Sequence, residues 1–99
     1  MSTSANELTR PCAMNVEVTE DTLNVELNDG RSLSVPLSWY PRLEHATSEE
    51  RKNWELIGAG FGIHWPQIDE DISVEGLIAG KASNESQESL SKWLKTRSV

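Results

Sequence analysis

Ninety-nine residues make one domain with a small core, too short a chain for two lobes around a cleft. Sixteen acids against nine bases leave a net charge of −7 and a pI near 4.7, which disfavours non-specific nucleic-acid binding and docking on anionic lipid. Hydrophobic residues at 36%, four Trp among them, place the chain above the disordered regime but assign it no reaction.

Residues 1–11 read as a flexible leader, polar and ended by Pro11, without the apolar centre of a signal peptide. No apolar run approaches the ~20 residues of a membrane span, so no membrane partner is expected and the cytoplasm is the default compartment. Cys12 is the one cysteine, which excludes an internal disulfide and a multi-cysteine zinc site.

The next stretch alternates with period two, the mark of strands with one buried face. Val16 and Val18 open the pattern, Leu23, Val25 and Leu27 repeat it, and Leu33, Val35 and Leu37 repeat it again. Asn28-Asp29-Gly30 joins the second and third strands. A two-residue turn there would put the two apolar sets on opposite faces. A three-residue loop pairs Val25 with Leu33 and Leu23 with Val35, all on one face. That choice predicts a type I turn with Gly30 in the left-handed position of a bulge. Pro36 lacks an amide donor, so its strand is an edge or ends there.

Ser38 is a candidate N-cap for a short helix with Pro41 in its first turn, burying Trp39 and Leu43. Thr47-Ser48-Glu49-Glu50 has the capping-box pattern and predicts a second short helix to about Asn53, with Trp54 near its end. Gly58-Ala59-Gly60-Phe61-Gly62 then joins two short strands, the second carrying Ile63 and Trp65. Gln67 to Asp71 reads as an acidic loop. Ser73 caps a last short helix over 74–79, which Gly80 stops. Trp39, Trp54 and Trp65 are the expected core tryptophans. The body spans residues 12–80. Residues 81–99 read as a C-terminal amphipathic tail helix with net +2 on a body of −9. Asn84 with Gln87 is its candidate cap, and Leu90, Trp93 and Leu94 form its apolar stripe.

Leu37-Ser38-Trp39-Tyr40-Pro41-Arg42-Leu43, Ala46-Thr47, Arg51, Trp54, Ile57-Gly58, Gly60 and Gly62-Ile63-His64-Trp65-Pro66 carry a resemblance. So do Asp69-Glu70-Asp71-Ile72-Ser73, Gly76-Leu77 and Ala79-Gly80. Together they are similar to the bacterial domain-of-unknown-function family numbered 2442. The resemblance covers roughly residues 12–80. It implies a small α+β domain that starts with a β-meander, and it supplies no enzyme activity, cofactor or catalytic residue. It also implies a neighbouring gene for another small uncharacterised protein, hence a two-protein, toxin–antitoxin-like arrangement.

The candidate sites are weighed against plainer roles. Gly58, Gly60 and Gly62 lack the following helix and the Lys-Ser/Thr of a phosphate loop, so a tight turn needing positive φ is expected. His64 with Asp69 and Asp71 is an acceptable ligand set for a divalent ion, but Glu70 points away from both acids on an extended chain and no second histidine lies near. No metal, cofactor or catalytic residue is therefore expected. Tyr40 and Arg42, outward beside an inward Trp39, form a candidate partner surface, as do Leu90, Trp93 and Leu94.

The sequence thus predicts an α+β fold: a three-stranded antiparallel meander, short helices, a second short hairpin and a C-terminal helical tail. The expected function is a non-enzymatic protein-interaction module, in one form the antitoxin-like member of a pair. Its partner would be a basic neighbouring-gene product, or a second copy in a homodimer, with no direct nucleic-acid contact. The alternatives are a small enzyme or ligand- or metal-binding protein using the Gly58–Asp71 loop, and a transcriptional regulator acting with a DNA-binding partner.

Overall fold

The computed structural model of the chain describes residues 10–97. The leader read over residues 1–11 lies outside the described residues up to residue 9, as do residues 98 and 99 of the tail.

Period-two alternation builds the first sheet. Strands β1 (Ala13–Val18), β2 (Thr22–Leu27) and β3 (Ser32–Pro36) pair antiparallel in the order β1-β2-β3. Val25 stands opposite Leu33 and Leu23 opposite Val35, the register that keeps the apolar side chains on one face. The loop Asn28–Gly30 closes with Gly30 at φ 93° and with Leu27 N donating to Arg31 O, as a left-handed bulge turn requires. Between β1 and β2 the register shifts at Met14, which bulges out 62% exposed.

Pro36 ends β3, and a 3-10 turn, Leu37–Trp39, leads into α1 (Pro41–Glu44). Ser38 does not cap this helix: Tyr40 occupies the N-cap position with no side-chain hydrogen bond. The inserted turn also reverses the expected facing. Tyr40 is the core residue, 4% exposed, while Trp39 is half-buried. Helix α2 (Ser48–Lys52) carries the full capping box of Thr47 and Glu50. Neither helix can stand alone at such length. Arg51 joins them, its guanidinium donating to the carbonyls of Leu43 and Glu44 at the end of α1.

The second sheet is larger than a hairpin. Strands β4 (Glu55–Ile57), β5 (Gly62–Trp65) and β6 (Glu70–Ser73) pair antiparallel in the order β4-β5-β6. Glu70 and Asp71 of the expected acidic loop are therefore strand, with Ile63 facing Ile72 and Trp65 facing Glu70. Ser73 caps α3 (Val74–Ile78) by accepting from Gly76 N, and Gly80, at φ 75°, ends it. The tail helix α4 (Gln87–Arg97) starts later than the tail itself. Ser86, not Asn84, caps it, accepting from Ser89 N at 3.1 Å. No helix among the described residues is long and apolar enough to cross a membrane.

One core joins both sheets. Leu23, Val25 and Val35 of the first meet Ile63, Trp65 and Ile72 of the second, with Leu37, Tyr40 and Leu43 between. Trp65 is fully buried, its indole N–H donating to Arg51 O at 3.1 Å. Trp39, Trp54 and Trp93 pack against this cluster only partly buried.

Two glycines make the backbone geometry testable. Gly30 has open space where a Cβ would sit, whereas a Cβ on Gly60, at φ 91°, would lie 2.9 Å from the Ala13 carbonyl oxygen. Gly30→Ala is expected to cost about 1 kcal/mol from left-handed strain alone. Gly60→Ala adds a backbone clash and is expected to cost about 2–4 kcal/mol. Urea unfolding of both variants measures the difference, and equal losses would refute the close approach of this turn to β1.

Candidate functional site

The Gly58–Asp71 loop does not assemble into one site. Gly58, Ala59 and Gly60 form a left-handed turn with φ of 57°, 58° and 91°, packed against Cys12 and Ala13. Gly62 lies in β5 beside Ile57, where a Cβ would stand 3.0 Å from the Ile57 side chain. His64 and Asp71 face each other across β5 and β6, with His64 Nδ1 in hydrogen-bond contact with Asp71 Oδ1. That contact, with Glu55 and Asp69 adding attraction, holds the imidazole above its usual range. Asp69 sits in the turn before β6 at φ 54°. Among the described residues no group of three or more His, Cys, Asp or Glu is placed to hold a metal ion.

The expected partner surface is largely engaged within the chain itself. Tyr40 is buried rather than outward because the 3-10 turn rotates it into the core, and its hydroxyl donates to Lys81 O at 2.9 Å. Arg42 does face away from the core, but onto the tail. Its Nε and Nη2 grip the Glu85 carboxylate at 2.7–3.0 Å, and its Nη1 donates to Ile68 O at 2.9 Å. Trp93 lies beneath two cations, with the Arg42 and Arg97 guanidiniums 5.1 and 4.6 Å from its ring centre. Arg97 in turn makes two bonds, at 2.7 and 3.0 Å, to Glu50, the capping-box carboxylate of α2. Leu90 and Leu94 are half-buried on the same helix. The tail thus docks on its own domain. A shallow groove of about 540 Å³ along α4 still reaches Arg42, Asp69, Ser89 and Trp93.

A second cleft, of about 420 Å³, opens beside β6. It is lined by Glu70 to Ser73 of β6, by Lys81 to Asn84, and by Tyr40, Ile57, Gly62 and Gly76. β6 ends its sheet, and among the described residues no backbone hydrogen bond reaches its outer edge. Glu70 is half-buried and its carboxylate makes no hydrogen bond or ion pair among the described residues. Burial, then the charge of Glu85, raises its pKa to about 7, and the attraction of Arg42 offsets only part of this. Sequence reasoning missed Glu70 as a site residue. The available signal was period two: Glu70 stands two before Ile72 and so shares its inward face.

Both the unpaired Glu70 carboxyl and the ion pair of the tail are measurable. Glu70 ionises near 4.5 in a free chain and near 7 when folded, so the folded state takes up a proton and loses stability as pH climbs between those values. Glu70→Gln is therefore expected to stabilise the protein by about 1–2 kcal/mol at about pH 8 and to be neutral near pH 4. Urea titrations at both pH values test this, and a gain that ignores pH would refute it. For the tail, a double-mutant cycle of Glu50→Gln and Arg97→Gln is expected to give a coupling of about 0.5–1.5 kcal/mol near neutral pH, reduced by molar salt. A coupling of about zero would mean that this pair does not hold α4.

The comparisons agree with this architecture. Residues 13–83 match the profile of the family described as Protein of unknown function (DUF2442). A protein of unknown function from Rhodospirillum rubrum, known from a crystal structure, is similar at 27% identity and a TM-score of 0.67. That match covers 80% of this chain and 98% of the other. An uncharacterised Chromobacterium violaceum protein solved by NMR shares the fold at 21% identity and a TM-score of 0.64, over 98% of this chain and 84% of its own. No curated protein matches with significance. With two antiparallel sheets, short helices and a match across most of its length, the chain belongs to the DUF2442 family.

Proposed function

We propose that the protein is a non-enzymatic interaction module that holds an extended segment of a basic protein partner against the outer edge of β6. In its sharper form it is the antitoxin-like member of a two-protein pair. The observation that carries the reading is the open cleft formed by that unpaired strand edge and the Lys81–Asn84 segment. A free strand edge offers main-chain donors and acceptors to an added strand, and a flanking pocket reads its side chains. The body contributes −9 of charge, which speeds encounter with a basic partner and selects against an acidic one. Leu56 and Ile57 on β4, 37% and 40% exposed, extend an apolar margin along the same sheet.

The test is hydrogen exchange on the complex with a partner co-purified from the native host. Slowed exchange is expected at the amides of residues 71–73 and 81–84, with an association rate that falls as salt rises. Protection confined to α4, or none on β6, would overturn the reading.

A further inference from the structure

The geometry points to a recognition pocket for one arginine or lysine side chain of an extended peptide, with Glu70 as the group that selects it. The inference rests on the strand-edge reading and adds what the bound segment carries. Glu70 lines the cleft between β6 and the Lys81–Asn84 segment. It is half-buried and lacks a hydrogen-bond partner among the described residues, because its neighbours are committed elsewhere. The Tyr40 hydroxyl donates to Lys81 O. The Arg42 guanidinium is taken up by Glu85 and the carbonyls of Ile68 and Asp69. Lys81 lines the same cleft and forms no ion pair among the described residues. The remaining charged groups nearby, Asp69, Asp71 and Glu85, are acids. A half-buried carboxyl surrounded by carboxylates is unstable as an anion until a cation arrives. A guanidinium or ammonium entering the cleft would supply the missing donors.

Binding of such a cation requires the ionised form of Glu70, so it releases a proton when the free carboxyl is protonated. Affinity is then expected to rise with pH up to the point where free Glu70 is already ionised, at about 7. Asp69, Asp71 and Glu85 strengthen attraction for the ligand, and Arg42 and Lys81 oppose it.

The probe is the peptide acetyl-Thr-Val-Arg-Val-Thr-amide, compared with the same peptide carrying neutral citrulline in place of arginine. Each is titrated into ¹⁵N-labelled full-length protein at about pH 8 and about pH 6. The arginine peptide is expected to shift the amides of β6 and residues 81–84 saturably, and to bind about tenfold tighter than the citrulline peptide at the higher pH. That preference should shrink to about twofold in Glu70→Gln and weaken in the wild type at the lower pH. Glu70→Gln keeps the shape of the pocket, and its amide spectrum reports that it is folded. Equal binding of both peptides on β6 would overturn the role of Glu70 and leave the strand-edge reading intact. A preference for arginine that persists in Glu70→Gln would also overturn it. Agmatine binding as tightly as the peptide would assign the pocket to free amines and overturn the peptide assignment. A partner complex protected elsewhere, with arginine selection retained, would instead remove the strand-edge reading alone.

Discussion

The Arg42 guanidinium ties together four parts of the chain that are distant in sequence. It sits on α1, grips Glu85 in the segment before α4, holds the turn before β6 through Ile68 O, and lies over Trp93 of α4. Arg42 and Glu85 retain only 16% and 10% of their side-chain exposure. Removing one partner of a pair withdrawn from water this far leaves the other charge stranded, which costs about 3–5 kcal/mol when burial is complete. The planar fork matters: it serves a carboxylate on one side and a carbonyl on the other, which an ammonium in the same place cannot do. The location of the tail, the start of β6 and the isolation of Glu70 all follow from where these donors go.

Glu50 plays the matching part at the other end of α4. It closes the capping box of α2, and the Thr47 amide donates to it at 2.8 Å. The same carboxylate receives Arg97, the larger influence on a pKa lowered to about 2. A five-residue helix is marginal by itself, so a shared carboxylate couples its first turn to the docking of the tail. Held at both ends by arginine–carboxylate pairs, α4 needs only a modest apolar stripe. Trp93 supplies the bulk of it, half in contact with the core and half under the two guanidiniums.

Much of the fold was legible because it rests on local patterns. Register in the first sheet follows from period two and one glycine, and the caps of α2 and α3 follow from Thr47-x-x-Glu50 and Ser73. What escaped depends on contacts distant in sequence or on a shift in phase. The 3-10 turn Leu37–Trp39 changes the phase before α1, so Tyr40, expected outward, turns into the core and Trp39 is left half-buried against it. Arg42 and Glu85 are 43 residues apart, and nothing local marks them as partners. The sheet edge β6 was hidden by composition, because Asp69-Glu70-Asp71 has the charge of a solvated loop. Its pairing with β5 is decided by Ile72 and Trp65, whose burial outweighs the cost of drawing Glu70 inward.

That cost is the part of the candidate site with most physical content. A strand that began with a neutral residue at position 70 would bury the same apolar neighbours without placing a carboxyl beside Glu85 and Asp71. Apolar packing and hydrogen bonding elsewhere are well satisfied, with no buried side-chain polar atom left without a partner among the described residues. The exception to this economy is a half-exposed acid with raised pKa, at the mouth of a cleft, next to an unpaired strand edge. Local conflicts of this kind are where stability gives way to binding. Arg42 could have neutralised Glu70, yet the chain directs it to Glu85 and the backbone. The arrangement keeps the tail docked and leaves one carboxyl available to a cation from outside.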